Sequence, residues 1–410
     1  MHDRFSADFF RANRDRLRQT ITESVPVIVT ANGLLQRNGD TAYPFEQDAD
    51  FWYLTGSDDP DLVLVLDGPR QYLIVPSRGS DREVFDGAIQ TDALAEQSGI
   101  SDILNEQEGW QLLGKLLKRV KRIATIIPAP PYVEQYGLYV NPAKRRLLQR
   151  IKSHNTALEL LDIRQQLAAM RTIKQPEELA AIRRAIDVTI DALQEATAPA
   201  ARSAYLYEYE IEAALAQGFR GRGAKGHAFE PIVAGGRRAC TLHNISNNNP
   251  LSRDELVVLD VGAEVSHYAA DITRTISLRK PSARQQAVYE AVRESQEYAL
   301  SLLKPGVLLR EYEQQVVQFI GEKLRTLKLV RKVEPSAVRQ YYPHATSHFL
   351  GLDVHDAGDY GQPLTPGTVL TVEPGIYIAD EGIGVRIEDD VLVTGHGVEV
   401  LSERLPRSLL

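Results

Sequence analysis

One cysteine, Cys240, is all that 410 residues contain. A lone thiol cannot close an intramolecular disulfide and excludes a cysteine-rich zinc site, so the expected compartment is a reducing cytoplasm. Long apolar runs are missing as well. Stretches such as 62–66 and 256–259 stop far short of the ~18 residues a spanning helix needs, and no membrane role is expected. The opening MHDRFSADFFRANRDRLRQ (1–19) interrupts its apolar residues with charges, unlike a signal-peptide hydrophobic region, and reads as an amphipathic first helix. Nor is there an excess of positive charge. Forty-seven basic and 55 acidic residues leave −8, which argues against a dedicated nucleic-acid binder or a basic membrane-surface protein. No low-complexity tract appears.

What remains has the make-up of an ordinary soluble globular protein, 43% hydrophobic and 25% charged. At roughly 150 residues per domain the length predicts two to three domains. The first ~160 residues alternate strand-like stretches (27–30, 62–66, 72–75, 123–127) with helical ones (9–21, 109–122), an α/β pattern that Pro128, Pro130 and Pro131 punctuate. A helix-rich connector over 143–170 leads to Lys174-Gln175-Pro176-Glu177-Glu178, where a proline and two acids open a helix. Leu179, Ile182, Ile186, Ile190 and Leu193 give that helix one buried stripe. The expected division is therefore an α/β domain over 1–170 and a second domain over 171–410.

The second part repeats an order of elements. Helices over 177–196 and 206–219 precede strands at 229–233, 241–244, 256–260 and 268–278. Helices over 283–303 and 309–328 then precede strands through 369–378 and 384–393. Two αα-β halves of this kind predict a pseudo-duplicated α+β domain with a cleft between them, where sites commonly lie.

Acids stand where that pattern is most apolar. Asp260 ends the strand LVVLD and Asp271 sits in HYAADITRT after a turn at Gly262, so a hairpin would turn both carboxylates to one side. A buried strand resists a charge unless it is paired or bound to metal. Glu373 closes TVLTVE, and the period of two puts Arg386 and Glu388 on one face of VRIEDD. His344, His348 and His355 fall within PHATSHFLGLDVHD, three of the chain's nine histidines. Singly, each acid reads as a salt bridge and each histidine as a hydrogen-bonded core or surface residue. Jointly, four carboxylates and a histidine form the donor set of paired divalent ions, because two M²⁺ charges balance four carboxylates. Oxygen donors with a minority of nitrogen suit Mn²⁺, Co²⁺ or Zn²⁺.

The segments LHNISNNNP (242–250), VLDVGAEVSHYAADITRT (258–275), HATSHFLGLDVHD (344–356), LTVEPGIYI (370–378) and RIEDDVLVT (386–394) resemble the pita-bread metallopeptidases, most closely the aminopeptidase P (Xaa-Pro aminopeptidase) family. YPFEQDADFWYLTG (43–56) is similar to that family's first domain. The resemblance implies a dinuclear site, usually manganese, with Asp260, Asp271, His348, Glu373 and Glu388 as ligands and Asp271 and Glu388 bridging. It implies that His243 and His355 bind the scissile carbonyl and its oxyanion, and that His344 lines the proline pocket. Arg386 would orient a ligating carboxylate, and Asp40 would lie near the substrate entrance. Glu373 would serve as general base for a hydroxide held between the ions. The implied substrates are proline-containing peptides, and the implied assembly is a homodimer or homotetramer. Ala345 stands where the family usually has glycine.

Three rival readings remain. An Xaa-Pro dipeptidase would share all five ligands, and a metal-free relative that hydrolyses or merely binds would have lost some of them. A thiol protease built on Cys240 and His243 would need two strand residues three apart to meet with catalytic geometry, and Ser266 and Ser347 lack the glycines of a nucleophile elbow. His227 and His267 read as core or surface residues.

Overall fold

The computed structural model describes residues 5–127, 133 and 135–409, apart from the side chains of 80–82. Pro128, Pro130, Pro131 and the first four residues of the expected opening helix lie outside that description. The chain divides into two compact units, Arg4–Met170 and Arg171–Leu410.

In the first unit, helix Ala7–Thr20 starts where the Ser6 hydroxyl accepts the Phe9 N–H, satisfying one of the free first-turn amides. A six-stranded mixed sheet follows in the order Asp102–Asn105, Arg70–Val75, Val63–Asp67, Val27–Thr30, Arg122–Thr125, Glu159–Asp162. Its central strands are buried on both faces, which is why they read as unbroken apolar runs. The connector expected to be helical contains the edge strand Glu159–Asp162 between helices Ala143–His154 and Arg164–Thr172.

The second unit has the expected α+β make-up. Helix Pro176–Ala196 opens with a capping box between Gln175 and Glu178. Behind it come a short helix, Pro199–Ala204, and the helix Glu208–Gly221. One antiparallel sheet orders Ile232–Gly235, Leu256–Val261 and Ile272–Ser277; another orders Val369–Val372, Asp389–Val393 and Val398–Val400. Helices Ala283–Leu302 and Leu309–Thr326 join this second sheet through a core that includes Val292, Tyr312, Val316, Leu370, Ile376 and Val391.

Several expected strands take a different form. Residues 241–244 are not a strand: a 3₁₀ turn over Gly236–Cys240 runs into turn residues, leaving His243 exposed. The expected strand over 268–278 splits into Tyr268–Ala269 and Ile272–Ser277, which belong to different sheets. Reversal occurs at Ser266 and His267, whose φ values of 50° and 70° build the primed turn favoured between paired strands, and not at Gly262. Gly262 is required for another reason, since a Cβ there would stand 1.7 Å from the Ala270 carbonyl oxygen. The stretch 384–393 also breaks, between Ile383–Arg386 and Asp389–Val393. The Glu388 amide leaves the ladder to donate to Thr273 O at 3.0 Å, stitching the two acid-bearing regions together.

Candidate metal centre

Antiparallel pairing sets Asp260 opposite Thr273, two residues beyond Asp271. Because side chains alternate along a strand, Asp271 and Thr273 share a face with Asp260. Asp271 is 6% exposed. Burial and then the neighbouring Asp260 raise its pKa well above the ordinary carboxylate range. Its backbone N–H donates to Asp390 Oδ2 at 3.1 Å.

Glu388 reaches the same place from the break behind Ile383–Arg386. Thr273 Oγ1 donates to Glu388 Oε2 at 2.6 Å and accepts from Arg386 Nε at 3.1 Å. Arg386 Nη2 contacts Asp260 Oδ2 at 2.5 Å, and its Nη1 donates to the Tyr377 hydroxyl at 2.8 Å. Arg386 and Glu388 therefore converge on one hydroxyl, although no continuous strand carries them. Burial, followed by Asp271, Glu373 and Asp260, raises the Glu388 pKa well above its usual value.

The third contribution comes from residues 346–349, which run beside the strand preceding Glu373. Thr371 N–H donates to His348 O and Glu373 N–H to Thr346 O, at 3.0 and 2.9 Å. His348 Nε2 then lies 3.4 Å from Asp271 Oδ2 and 3.5 Å from Glu373 Oε1. His348 Nδ1 stands 3.0 Å from the Phe349 carbonyl, which can only accept, so Nδ1 carries a proton and, in the neutral form a metal ligand requires, the Nε2 lone pair faces the acids. Ligand atoms of Asp271, His348 and Glu388 all lie within 4.8 Å of one another. Burial, set against His348 and Arg386 and reinforced by Asp271 and Asp260, lifts Glu373 to about 7.

The expected substrate-facing histidines gather at the same pocket. The His355 ring sits 4.3 Å from that of His348, and burial with help from His348 and His243 lowers its pKa to about 4. His344 is lowered to about 3 by burial and then Arg386. Its Nδ1 contacts Ala345 O at 2.8 Å and its Nε2 the Tyr377 hydroxyl at 2.8 Å. His243 is close enough to depress both. Asp40 belongs to the other unit, exposed at the turn between strands Gln36–Asn38 and Thr41–Ala42.

Thr273 and Tyr377 were not singled out from sequence. Thr273 could have been found as the i+2 neighbour of Asp271. Tyr377 gives no local signal, since its partners Arg386 and His344 are 9 and 33 residues away. The thiol alternative loses its basis: burial raises the Cys240 pKa, the wrong direction for a nucleophile, and its sulfur contacts Ile383 O. Ser347 donates to the Tyr312 hydroxyl.

Four carboxylates thus crowd around a single buried guanidinium. Asp260 Oδ1 and Asp271 Oδ1 are buried without any hydrogen-bond partner among the described residues. Unpartnered carboxylate oxygens beside an imidazole lone pair fit a divalent cation, which supplies the missing positive charge.

These features define a metallopeptidase. Residues 180–395 match metallopeptidase family M24 and residues 10–125 match the aminopeptidase P N-terminal domain. The chain belongs to this family, and membership of a metallopeptidase family implies divalent metal ions. It is 33% identical to the Xaa-Pro aminopeptidase of Haemophilus influenzae, across 98% of this chain and 95% of that protein. The Pseudomonas aeruginosa aminopeptidase superimposes with a TM-score of 0.88 at 32% identity, over 99% of this chain and 96% of that one. Zinc-substituted Escherichia coli aminopeptidase P in complex with product gives 0.85 at 30% identity, over 99% and 97%.

Proposed function

We propose that this chain is an Xaa-Pro aminopeptidase, a metal-dependent exopeptidase that releases the N-terminal residue from peptides with proline in second place. The observation that carries the reading is the meeting of Asp271, His348 and Glu388 within 4.8 Å, with Asp260 and Glu373 at the same acid-rich pocket. In this reading Asp260, Asp271, His348, Glu373 and Glu388 would hold two divalent ions. Manganese is the first choice, with cobalt and zinc the alternatives. When bound, such ions lower the pKa of water and polarise a carbonyl.

The chain's own residues do the rest. Glu373 takes a proton from the attacking water and delivers it to the departing nitrogen. His355, uncharged at neutral pH because its pKa lies near 4, joins His243 in hydrogen bonding to the carbonyl oxygen as negative charge grows on it. Arg386 fixes Asp260 and, through Thr273, Glu388. His344, tied to Tyr377, walls the space for the proline ring. Proline's nitrogen has no hydrogen to donate, so its recognition rests on shape. Asp40 is assigned to the substrate entrance by resemblance, and a cytoplasmic homodimer or homotetramer is the assembly in which the enzyme would work. No helix among the described residues is long and apolar enough to cross a membrane.

The test is hydrolysis of an Xaa-Pro-Xaa tripeptide and the matching Xaa-Pro dipeptide, with added Mn²⁺ or with chelator. Metal-dependent release of the first residue from the tripeptide is expected. Preference for the dipeptide, or turnover that survives chelation, overturns the reading.

A further inference from the structure

We infer that Arg171 and Lys174, at the start of the second unit, act through Asp356 as positioning residues for His348 and His355. The inference rests on the roles just proposed for those two imidazoles. In sequence Lys174 marks only the start of a helix opening, and Arg171 carries no signal. Both cations point elsewhere. Lys174 Nζ lies 2.8 Å from Asp356 Oδ2 and Arg171 Nη2 2.5 Å from Asp356 Oδ1, with the three side chains 1%, 4% and 1% exposed for Lys174, Arg171 and Asp356. Arg171 also reaches the more exposed Asp353 at 2.7 Å, and Lys174 Nζ donates to Arg171 O at 2.6 Å.

A sealed ion cluster of this kind is a poor way to gain stability. Desolvation of the charges roughly cancels their attraction, and apolar residues of equal volume commonly do as well. What it does supply is a fixed direction, and the loop around Asp356 is built to that direction. A Cβ on Gly351 would fall 2.2 Å from Asp356 Oδ2 and 3.0 Å from Lys174 Cε, so the loop closes tightly over the pair. The Asp356 N–H donates at 2.8 Å to Phe349 O, the carbonyl that also accepts His348 Nδ1–H. One carbonyl therefore holds the imidazole whose lone pair faces the acids and the residue that follows His355. The His355 ring in turn packs against that of His348.

The cations are themselves referenced to the site. Lys174 N–H donates to Gly367 O at 2.9 Å, and Ile173 bridges Thr368, which leads into the strand Val369–Val372 before Glu373. Arg171 and Lys174 thus fix the 349–356 loop relative to the strand that presents Glu373. His348 is set against that carboxylate, and His355 against His348.

The test is a double-mutant cycle with an accompanying spectrum. With saturating metal, Lys174→Met is expected to lower kcat on an Xaa-Pro-Xaa peptide between about 10- and 100-fold, with KM and bound metal per chain little changed. In a His355→Ala background the same change should cost distinctly less, since one of the two imidazoles being positioned is gone. In zinc-loaded protein the histidine ring Cε1–H resonances of His348 and His355 should shift or broaden, and those of His154 and His396 should stay in place. Losses that multiply in the cycle, or unmoved His348 and His355 resonances, overturn the inference. Asp356→Asn keeps the volume and should give the same pattern if Lys174→Met fails to fold. A wild type that does not cleave the peptide would sink the proposed function, and the resonances would still decide the positioning role.

Discussion

Glu388 and Asp389 are consecutive, both buried, and their carboxyls shift in opposite directions. Burial raises Glu388 and its neighbours Asp271, Glu373 and Asp260 raise it further. Burial raises Asp389 too, but the guanidinium groups of Arg274 and Arg407 outweigh it and hold the carboxyl below the ordinary range. Asp389 Oδ1 accepts from Arg274 at 2.7 Å and from the Ser402 hydroxyl at 2.6 Å, while Oδ2 accepts from Arg407 and Gln296. Asp356 behaves like Asp389, its two cations overcoming the cost of burial. One face of the Glu388–Asp389 peptide therefore looks onto acids short of counter-charge, and the other onto an acid whose counter-charge is built in. Acids of the second kind join segments of the fold; those of the first kind are left to recruit positive charge from outside the chain.

The largest expected effect breaks the acid-rich side. Asp271→Asn should reduce turnover of an Xaa-Pro-Xaa peptide to background and lower bound metal below two ions per chain by elemental analysis. The same substitution should raise the thermal midpoint of metal-free protein at pH 8, because it relieves repulsion among Asp260, Asp271 and Glu388. A variant that kept both ions and full turnover would dissolve the distinction drawn here.

On the compensated side the sign of the stability change reverses. Asp389→Asn should destabilise the protein by about 3–5 kcal/mol in urea unfolding, since it leaves Arg274 buried without its charge partner. An unfolding midpoint equal to wild type would show that Asp389 is not held by its cations.

The smallest effect sharpens the contrast by pH. In metal-free protein Asp271 and Glu388 are raised well above their usual values and Glu373 to about 7. The native state therefore binds more protons than the unfolded chain, and stability should fall as pH rises through neutrality. His344 and His355, lowered to about 3 and 4, work in the opposite direction. They make stability rise with pH, but only below the unfolded histidine value of about 6.5. Between about pH 6.5 and 8.5 the acids act alone, so the thermal midpoint should decrease with chelator present. With divalent metal it should hold or rise, because metal replaces the protons. A flat profile in both conditions would contradict the charge imbalance.

Much of this was legible before any coordinates. Apolar runs ending in acids marked Asp260 and Glu373, and the clustered histidines marked His348, because burial makes a charged residue conspicuous within a strand. Breaks within elements were less legible. The Ile387–Glu388 interruption follows from Glu388 N–H bonding to Thr273, 115 residues earlier, and no local pattern records that. The strand expected at 241–244 failed because the turn over Gly236–Cys240 packs against Gly384, where an added Cβ would approach Ala239 within 2.7 Å. Period-two reasoning put Arg386 and Glu388 together for the wrong reason, since Thr273 gathers them across a break. Lys174 was read for its place before a helix, and its ammonium group serves a loop 182 residues away.

By itself the sequence determined the long helices, the most apolar strands and that acids would stand at the ends of those strands, because alternation, capping and turn chemistry act over a few residues. Only the tertiary structure decided which of those acids face a guanidinium or ammonium and which face one another. That choice depends on pairs such as Arg386 and Asp260, 126 positions apart, and Arg274 and Asp389, 115 apart, brought together by the packing of sheets, and it separates carboxylates that brace the fold from those available to a metal.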